Sequence, residues 1–229
     1  MEMTLLAGGL TAALSYLLGS ISFAVIVCRL YAHDDIRKYG SHNAGMTNVL
    51  RVYGPVPAVF TLLGDFFKGV AAVVIGRWLF EKMGVTGFDA GYVAGVFALL
   101  GHLFPVYFGF KGGKGVLTSM GIMLAVNPVV LVILLAVLLP VLCIVKIVSL
   151  VSILGALMYP IVTYMVRVYQ GLPPLWDTLF SMIFSVVVIF MHRENIKRLI
   201  NGTERRIGDS KPRARKGEEE KESTEEKQN

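Results

Sequence analysis

Long apolar runs separated by short polar breaks organise this chain from Leu5 to Met191. A helix crosses a bilayer with roughly 20 mostly apolar residues. Runs of that kind cover Leu5–Leu30, Pro55–Phe80, Phe88–Phe108, Pro128–Lys146, Ile147–Val166 and Leu175–Met191. The second is interrupted by Asp65 and Lys68, whose three-residue spacing puts them on one side of a helix, where they can pair and neutralise each other. A shorter stretch, Val116–Val126, is too short to cross alone. It counts as a span only if the loop before it dips inward or neighbouring helices support it.

Composition strengthens the membrane reading. The chain of 229 residues is 55% hydrophobic and 17% charged, with a mean hydropathy of +0.64, whereas soluble domains carry about 25% charged residues. Much of the charge is also terminal. Ser210–Asn229 holds six Lys/Arg and six Glu, leaving 16 basic and 10 acidic residues for the 209 before it. The net charge of +6 therefore belongs to the apolar body, where basic residues set orientation or bind anionic lipid or an anionic substrate. The start of the chain lacks the basic region of a secretory signal and reads as the first span itself. Cys28 and Cys143 lie alone in apolar runs, with no disulfide framework and no metal-ligand spacing.

Charge placement predicts the topology. Arg29, Arg37, Lys38 and Arg51 surround the first loop, Lys111 and Lys114 lie in a Gly-rich loop after the third run, and Arg193, Lys197, Arg198, Arg205 and Arg206 follow the last. Cytoplasmic loops carry the excess of Lys and Arg. All three regions share one side only if Val116–Val126 is a span. The expectation is an all-α integral membrane protein with seven transmembrane helices, the N-terminus outside and the C-terminus cytoplasmic. Residues 1–208 form the membrane domain, and residues 209–229, rich in Lys, Arg, Glu and Ser without apolar pattern, form a disordered cytoplasmic tail.

Three polar stretches would then face the same aqueous side. In "GSHNAGMTNVLR", Gly40–Arg51, Ser41, Asn43, Thr47 and Asn48 offer hydroxyls and amides. Gly40 and Gly45 let the backbone approach a ligand, and Arg51 offers the planar fork that suits phosphate. A hydrated loop whose Arg marks the inner face would look the same. "FKGGKG", Phe110–Gly115, fails the Walker pattern, since Phe108 and Gly115 stand where Gly and Ser/Thr are required. What remains is a nest of Gly112, Gly113 and Gly115 amides beside two lysines, suited to phosphate oxygens or equally to a flexible basic turn. In "MHRENIKRLINGTE", Met191–Glu204, the residues His192, Asn195 and Arg198 share a helical face, although a basic cap at the inner interface is the ordinary reading. His102 lies near the inner end of the third run and fits packing as well as ligand contact.

Together, "GSHNAGMTNVLR", "GHLFPVYFGFKGGKGV" and "HRENIKRLINGTE" resemble the three signature motifs of the bacterial acyl-phosphate-dependent glycerol-3-phosphate acyltransferases, in order from about Gly19 to Glu204, with "GDFFKG" matching the family's second helix. Against that pattern, His42 stands for the usual Gly, and Met46 and Leu117 for Ala. The resemblance implies seven membrane helices in the bacterial inner membrane, with the active site facing the cytoplasm. It also implies transfer of an acyl group from acyl phosphate to the 1-hydroxyl of sn-glycerol 3-phosphate, giving lysophosphatidic acid and phosphate, the first acylation of phospholipid synthesis. By the same analogy, Ser41, Arg51, Lys114, His192 and Asn195 serve the glycerol phosphate and its reacting hydroxyl. Asn43, Gly45, Thr47, Asn48, Gly112, Gly113 and Gly115 serve binding, with Asn43, Thr47 and the Gly112–Gly115 amides on the acyl phosphate. The implied partners are the two substrates, membrane lipid and the enzyme that supplies acyl phosphate, with no nucleic acid, cofactor or metal. No H-x-x-x-x-D motif follows any histidine, and the resemblance implies that a phosphate oxygen of the donor can take the hydroxyl proton. A transporter for an organic phosphate would also use such basic residues. The absence of an internal repeat, and cations gathered on one side rather than at mid-membrane, oppose that alternative.

Overall fold

The computed structural model describes residues 2–209, so the charged tail from Ser210 lies outside the described residues. The described chain is helical: α1 (Glu2–Gly19), α2 (Phe23–Ala32), α3 (Met46–Tyr53), α4 (Pro55–Lys82), α5 (Ala90–Leu103), α6 (Val116–Val126), α7 (Pro128–Val145), α8 (Val148–Tyr169), α9 (Leu175–Met191) and α10 (Arg193–Ile200). In lipid every backbone polar group must be satisfied internally, which an uninterrupted helix does by itself.

Among the described residues, five segments are long and apolar enough to cross a membrane: Glu2–Ala32, Pro55–Lys82, Ala90–Phe108, Pro128–Val145 and Val148–Tyr169. α9 and α10 pass the same test together but are bent by 60° at His192. The seventh span expected from the charge pattern is α6, whose 11 residues rise only about 16 Å against roughly 30 Å of hydrocarbon. It cannot run further. Gly115 before it has φ 86 and Asn127 after it has φ −150, because a residue preceding proline is pushed out of the helical region. The Asn127 side chain then accepts the Val130 N–H and starts α7.

α4 is the central helix, packed on α1, α2, α3, α5 and α6. Membrane helices approach through small residues, because lipid provides no hydrophobic drive between them. A Cβ on Gly121 would lie 1.9 Å from the Phe66 carbonyl oxygen, and one on Gly101 would lie 2.2 Å from that of Tyr16. These two contacts draw α6 against α4 and α5 against α1. The break between α1 and α2 leaves the Ile21 carbonyl without a helical partner, and Lys68 Nζ of α4 donates to it at 2.7 Å. Lys68 also pairs with Asp65 at 2.7 Å, as the sequence spacing anticipates. A second layer of α7, α8 and α9 joins this core through Leu131, Leu134, Tyr159, Phe180 and Phe184. Outward apolar side chains such as Ile144, Val186 and Phe67 remain exposed as a lipid-facing surface.

Candidate functional site

The first polar stretch is built around Asn48. This residue is buried, its Oδ1 accepts the Ser41 N–H at 2.9 Å, and its Nδ2 faces the carbonyls of Ile36, Tyr39 and Asn43 at 3.3, 3.0 and 3.1 Å. Its amide is therefore spent on holding the loop. Gly40 is required beside it, since a Cβ there would lie 2.2 Å from Asn48 Oδ1. His42 has φ 57, and its Nδ1 lies 3.1 Å from the Arg37 carbonyl. The left-handed backbone explains why glycine suits that position. Arg37 ties the loop to the next one, donating to the Phe108 and Lys111 carbonyls at 2.6 and 3.3 Å.

The Gly-rich loop folds back on the end of α5. The Gly112 and Gly113 amides donate to the carbonyls of Leu103 and His102, each at 3.2 Å, and the Gly112 carbonyl accepts the Ala44 N–H at 3.4 Å. These two amides are thus occupied by backbone, and neither residue reaches the cavity described below. Lys114 and Gly115 do.

The third stretch turns at His192, which is buried at the bend between α9 and α10. Its Nδ1 lies 2.7 Å from the Val188 carbonyl. A carbonyl can only accept, so Nδ1 carries a hydrogen and Nε2 of the neutral ring is left as an acceptor. Asn195 Oδ1 accepts from Lys114 Nζ. Glu204 closes the ring of contacts, accepting from Asn195 Nδ2 at 2.6 Å, Arg198 Nε at 2.7 Å and Ser149 Oγ at 2.9 Å. The chain beyond α10 is held by the Ile207 N–H, which donates to the Lys146 carbonyl at 2.8 Å.

These pieces enclose one cavity of about 450 Å³. Ser41, Asn43, Gly45, Thr47, Asn48 and Arg51 line it from the first stretch, Lys114 and Gly115 from the second, and His192, Asn195 and Arg198 from the third. Arg205 and Arg206 add charge, Asp65 and His102 also line it, and Met46, Leu50, Val116, Leu117 and Val148 supply apolar wall. Asn43 Oδ1 is buried with no hydrogen-bond partner. A group that donates a hydrogen bond would satisfy it.

Matches to known proteins cover most of the chain. The model for the family described as "Glycerol-3-phosphate acyltransferase" matches residues 9–202. The chain belongs to the glycerol-3-phosphate acyltransferase family. It is 46% identical over 200 residues to the glycerol-3-phosphate acyltransferase of Clostridioides difficile strain 630, covering 87% of this chain and 95% of that one. Identity to the enzyme of Agrobacterium fabrum is 42% over 199 residues, covering 87% and 91%. The fold is similar to the crystal structure of PlsY (YgiH), an integral membrane glycerol 3-phosphate acyltransferase, in its glycerol 3-phosphate form. The TM-score is 0.76 at 34% identity, over 88% of this chain and 96% of that one. The lysophosphatidic acid form of the same protein gives 0.74 at 33%, over 88% and 95%. The chain is thus an acyltransferase of phospholipid synthesis, with a multi-pass helical membrane body.

The charge balance in the cavity suits an anion. Five cations (Arg51, Lys114, Arg198, Arg205 and Arg206) line it against two carboxylates, Asp65 and Glu204. Burial, with Arg198 and Arg51 nearby, brings the Lys114 amine down to about 8. Burial likewise lowers Arg51, with Arg205 and Arg198 adding to the effect. Burial alone would raise Glu204, but the bonds from Asn195, Arg198 and Ser149 outweigh it and hold the carboxyl below its usual range. Cations crowded and partly desolvated in this way gain most from an arriving anion. Among the described residues, no group of three or more His, Cys, Asp or Glu side chains is placed to hold a metal ion.

Sequence reasoning missed Glu204 as the hub, Ser149 as its partner, and Arg205 and Arg206 as lining. Glu204 ends the third motif as a lone acid between Arg198 and Arg205, and that was the available signal.

Proposed function

We propose that the cavity binds sn-glycerol 3-phosphate and an acyl phosphate together at the cytoplasmic face of the bacterial inner membrane. The observation that carries the reading is convergence: three distant polar stretches meet on one cavity holding three more cations than carboxylates. Two phosphates need that excess. In this reading Arg51, Lys114, Ser41, His192 and Asn195 serve the glycerol phosphate. Thr47 and Asn43 serve the acyl phosphate, together with the Gly115 turn, and Asn48 acts by holding the loop. The acyl chain runs along Met46, Leu50, Leu117 and Val148 towards lipid.

The glycerol 1-hydroxyl oxygen attacks the acyl carbon, the carbon–oxygen bond to phosphate breaks, and the hydroxyl proton leaves on the departing phosphate. The products are lysophosphatidic acid and inorganic phosphate. Catalysis is mostly positioning and charge stabilisation. With α6 counted as a short span, the N-terminus is outside and the charged tail cytoplasmic, where it takes no part in the chemistry.

The test is purified protein in lipid vesicles given both substrates. Lysophosphatidic acid and phosphate should appear in equal amounts. Phosphate release without lysolipid would contradict the reaction. A reporter after Glu204 should read cytoplasmic and a tag before Glu2 external, and both ends on one side would overturn the orientation.

A further inference from the structure

At the floor of the cavity, where α1, α4 and α5 meet, lies a buried cluster that phosphate binding does not use. Asp65 and Lys68 pair with side chains 1% exposed. Lys68 Nζ also lies 2.7 Å from the Ile21 carbonyl and 2.9 Å from His102 Nδ1. An ammonium has three donors and no acceptor, and three acceptors surround this one. His102 Nδ1 is therefore the accepting nitrogen, and the neutral ring carries its proton on Nε2. Asp65, 3.7 Å from Nδ1, balances the lysine charge.

His102 lines the cavity, and no hydrogen bond from its Nε2 to another described residue occurs beside the Nδ1 contact. Gly113 gains an explanation here. Its amide is occupied, yet a Cβ would strike His102 Nε2 at 2.2 Å, so the glycine clears room for the ring. The phosphate-binding cations lie nearer solvent: Arg51 and Lys114 are half-buried, whereas the His102 side chain is 5% exposed. A neutral donor deep in the site, in a cavity whose wall includes Val116 and Leu117, suits the uncharged acyl end of the donor better than its phosphate.

We infer that His102 is a catalytic residue whose Nε2–H donates to the acyl carbonyl oxygen as negative charge builds there, and that Lys68, held by Asp65 and the Ile21 carbonyl, fixes the required tautomer. This rests on the two-substrate reading above. The ring keeps its proton throughout; the hydroxyl proton still leaves on phosphate. Loss of one such donor typically costs about 100- to 1,000-fold in kcat.

Two substitutions separate this role from packing. In His102→Gln the amide nitrogen takes the place of Nε2, whereas in His102→Asn the amide oxygen takes the place of Nδ1 and keeps an acceptor for Lys68. The inference predicts that His102→Gln retains kcat within about tenfold, while His102→Asn loses about 100-fold with KM for glycerol 3-phosphate unchanged, a loss confined to the transition state. A purely structural His102 predicts the reverse order, and that order would overturn the assignment. Wild type without turnover on acyl phosphate would instead sink the proposed function and this role with it. A second measurement needs no variant to fold: imidazole nitrogen shifts of nitrogen-15-labelled wild type should show one buried ring protonated at Nε2. A wild-type spectrum in which every buried ring carries its proton on Nδ1 would refute the tautomer.

Discussion

Lys114 provides the most quantitative prediction, because its amine titrates within reach of an assay. Burial and the neighbouring Arg198 and Arg51 bring it to about 8. Only the protonated form carries the charge that holds a phosphate dianion. The second ionisation of a phosphate monoester has its midpoint near pH 6, so the substrate is mostly dianion by pH 7 and changes charge little above it. The value of kcat/KM for glycerol 3-phosphate reports groups of the free enzyme. It should therefore be flat from pH 7 and fall tenfold per unit once pH rises past about 8. The lost contact is one charge-assisted hydrogen bond, about 1.5–3 kcal/mol, which is roughly 10- to 150-fold at 1.36 kcal/mol per decade. The fall should level off at that depth, and Lys114→Met should show the same deficit at pH 7 with no alkaline limb. Arginine stays charged to above pH 12, so Lys114→Arg should lose the limb while keeping part of the activity. The assay is initial-rate lysophosphatidic acid formation across pH 6.5–10 in buffers of constant ionic strength. An unchanged alkaline limb in both variants would refute the assignment to Lys114.

Three further outcomes follow from named contacts. Arg51→Lys keeps the charge but loses the two-pronged fork, so KM for glycerol 3-phosphate should rise about tenfold; an unchanged KM would remove Arg51 from the phosphate. Glu204→Ala strips partners from Asn195, Arg198 and Ser149 and should lower both thermal midpoint and activity, the latter at least about tenfold. Glu204→Gln should fall between, and equal stability of all three proteins would dismiss the hub. Gly121→Ala would drive a methyl to 1.9 Å from the Phe66 carbonyl, costing about 1–3 kcal/mol or more, visible as a lower midpoint in detergent; an unaltered midpoint would show that α4 and α6 have slack.

The sequence revealed the helical membrane class and most long spans, because runs of apolar residues over 18 or more positions have few other meanings. It also revealed the Asp65–Lys68 pair, which a three-residue spacing encodes locally. The short α6 was recognisable as short, but how it packs was not, since its contacts depend on Gly69 and Gly121 meeting backbone from another helix. At the site, residue type found Ser41, Asn43, Thr47, Arg51, Lys114, His192 and Asn195, all of which line the cavity. It misjudged Gly112 and Gly113, whose glycines meet His102 instead of opening amides to the cavity. Nothing in a linear motif tells whether a glycine presents its N–H or makes space for a neighbour. Glu204 and Ser149 meet across 55 residues, and His102 reaches Lys68 across 34. Such pairings exist only in three dimensions.

Donor choice decides whether the site holds two phosphates. Thioester-dependent acylation usually relies on a base that deprotonates the hydroxyl, whereas a phosphate becomes a good leaving group once its charge is held. With purified protein, glycerol 3-phosphate and a chelator present, lysophosphatidic acid formation is measured with acyl phosphate, acyl-CoA and acyl-carrier-protein thioester in turn. Turnover with acyl phosphate and none with either thioester is the predicted result. Equal or faster turnover with acyl-CoA would contradict the two-phosphate cavity.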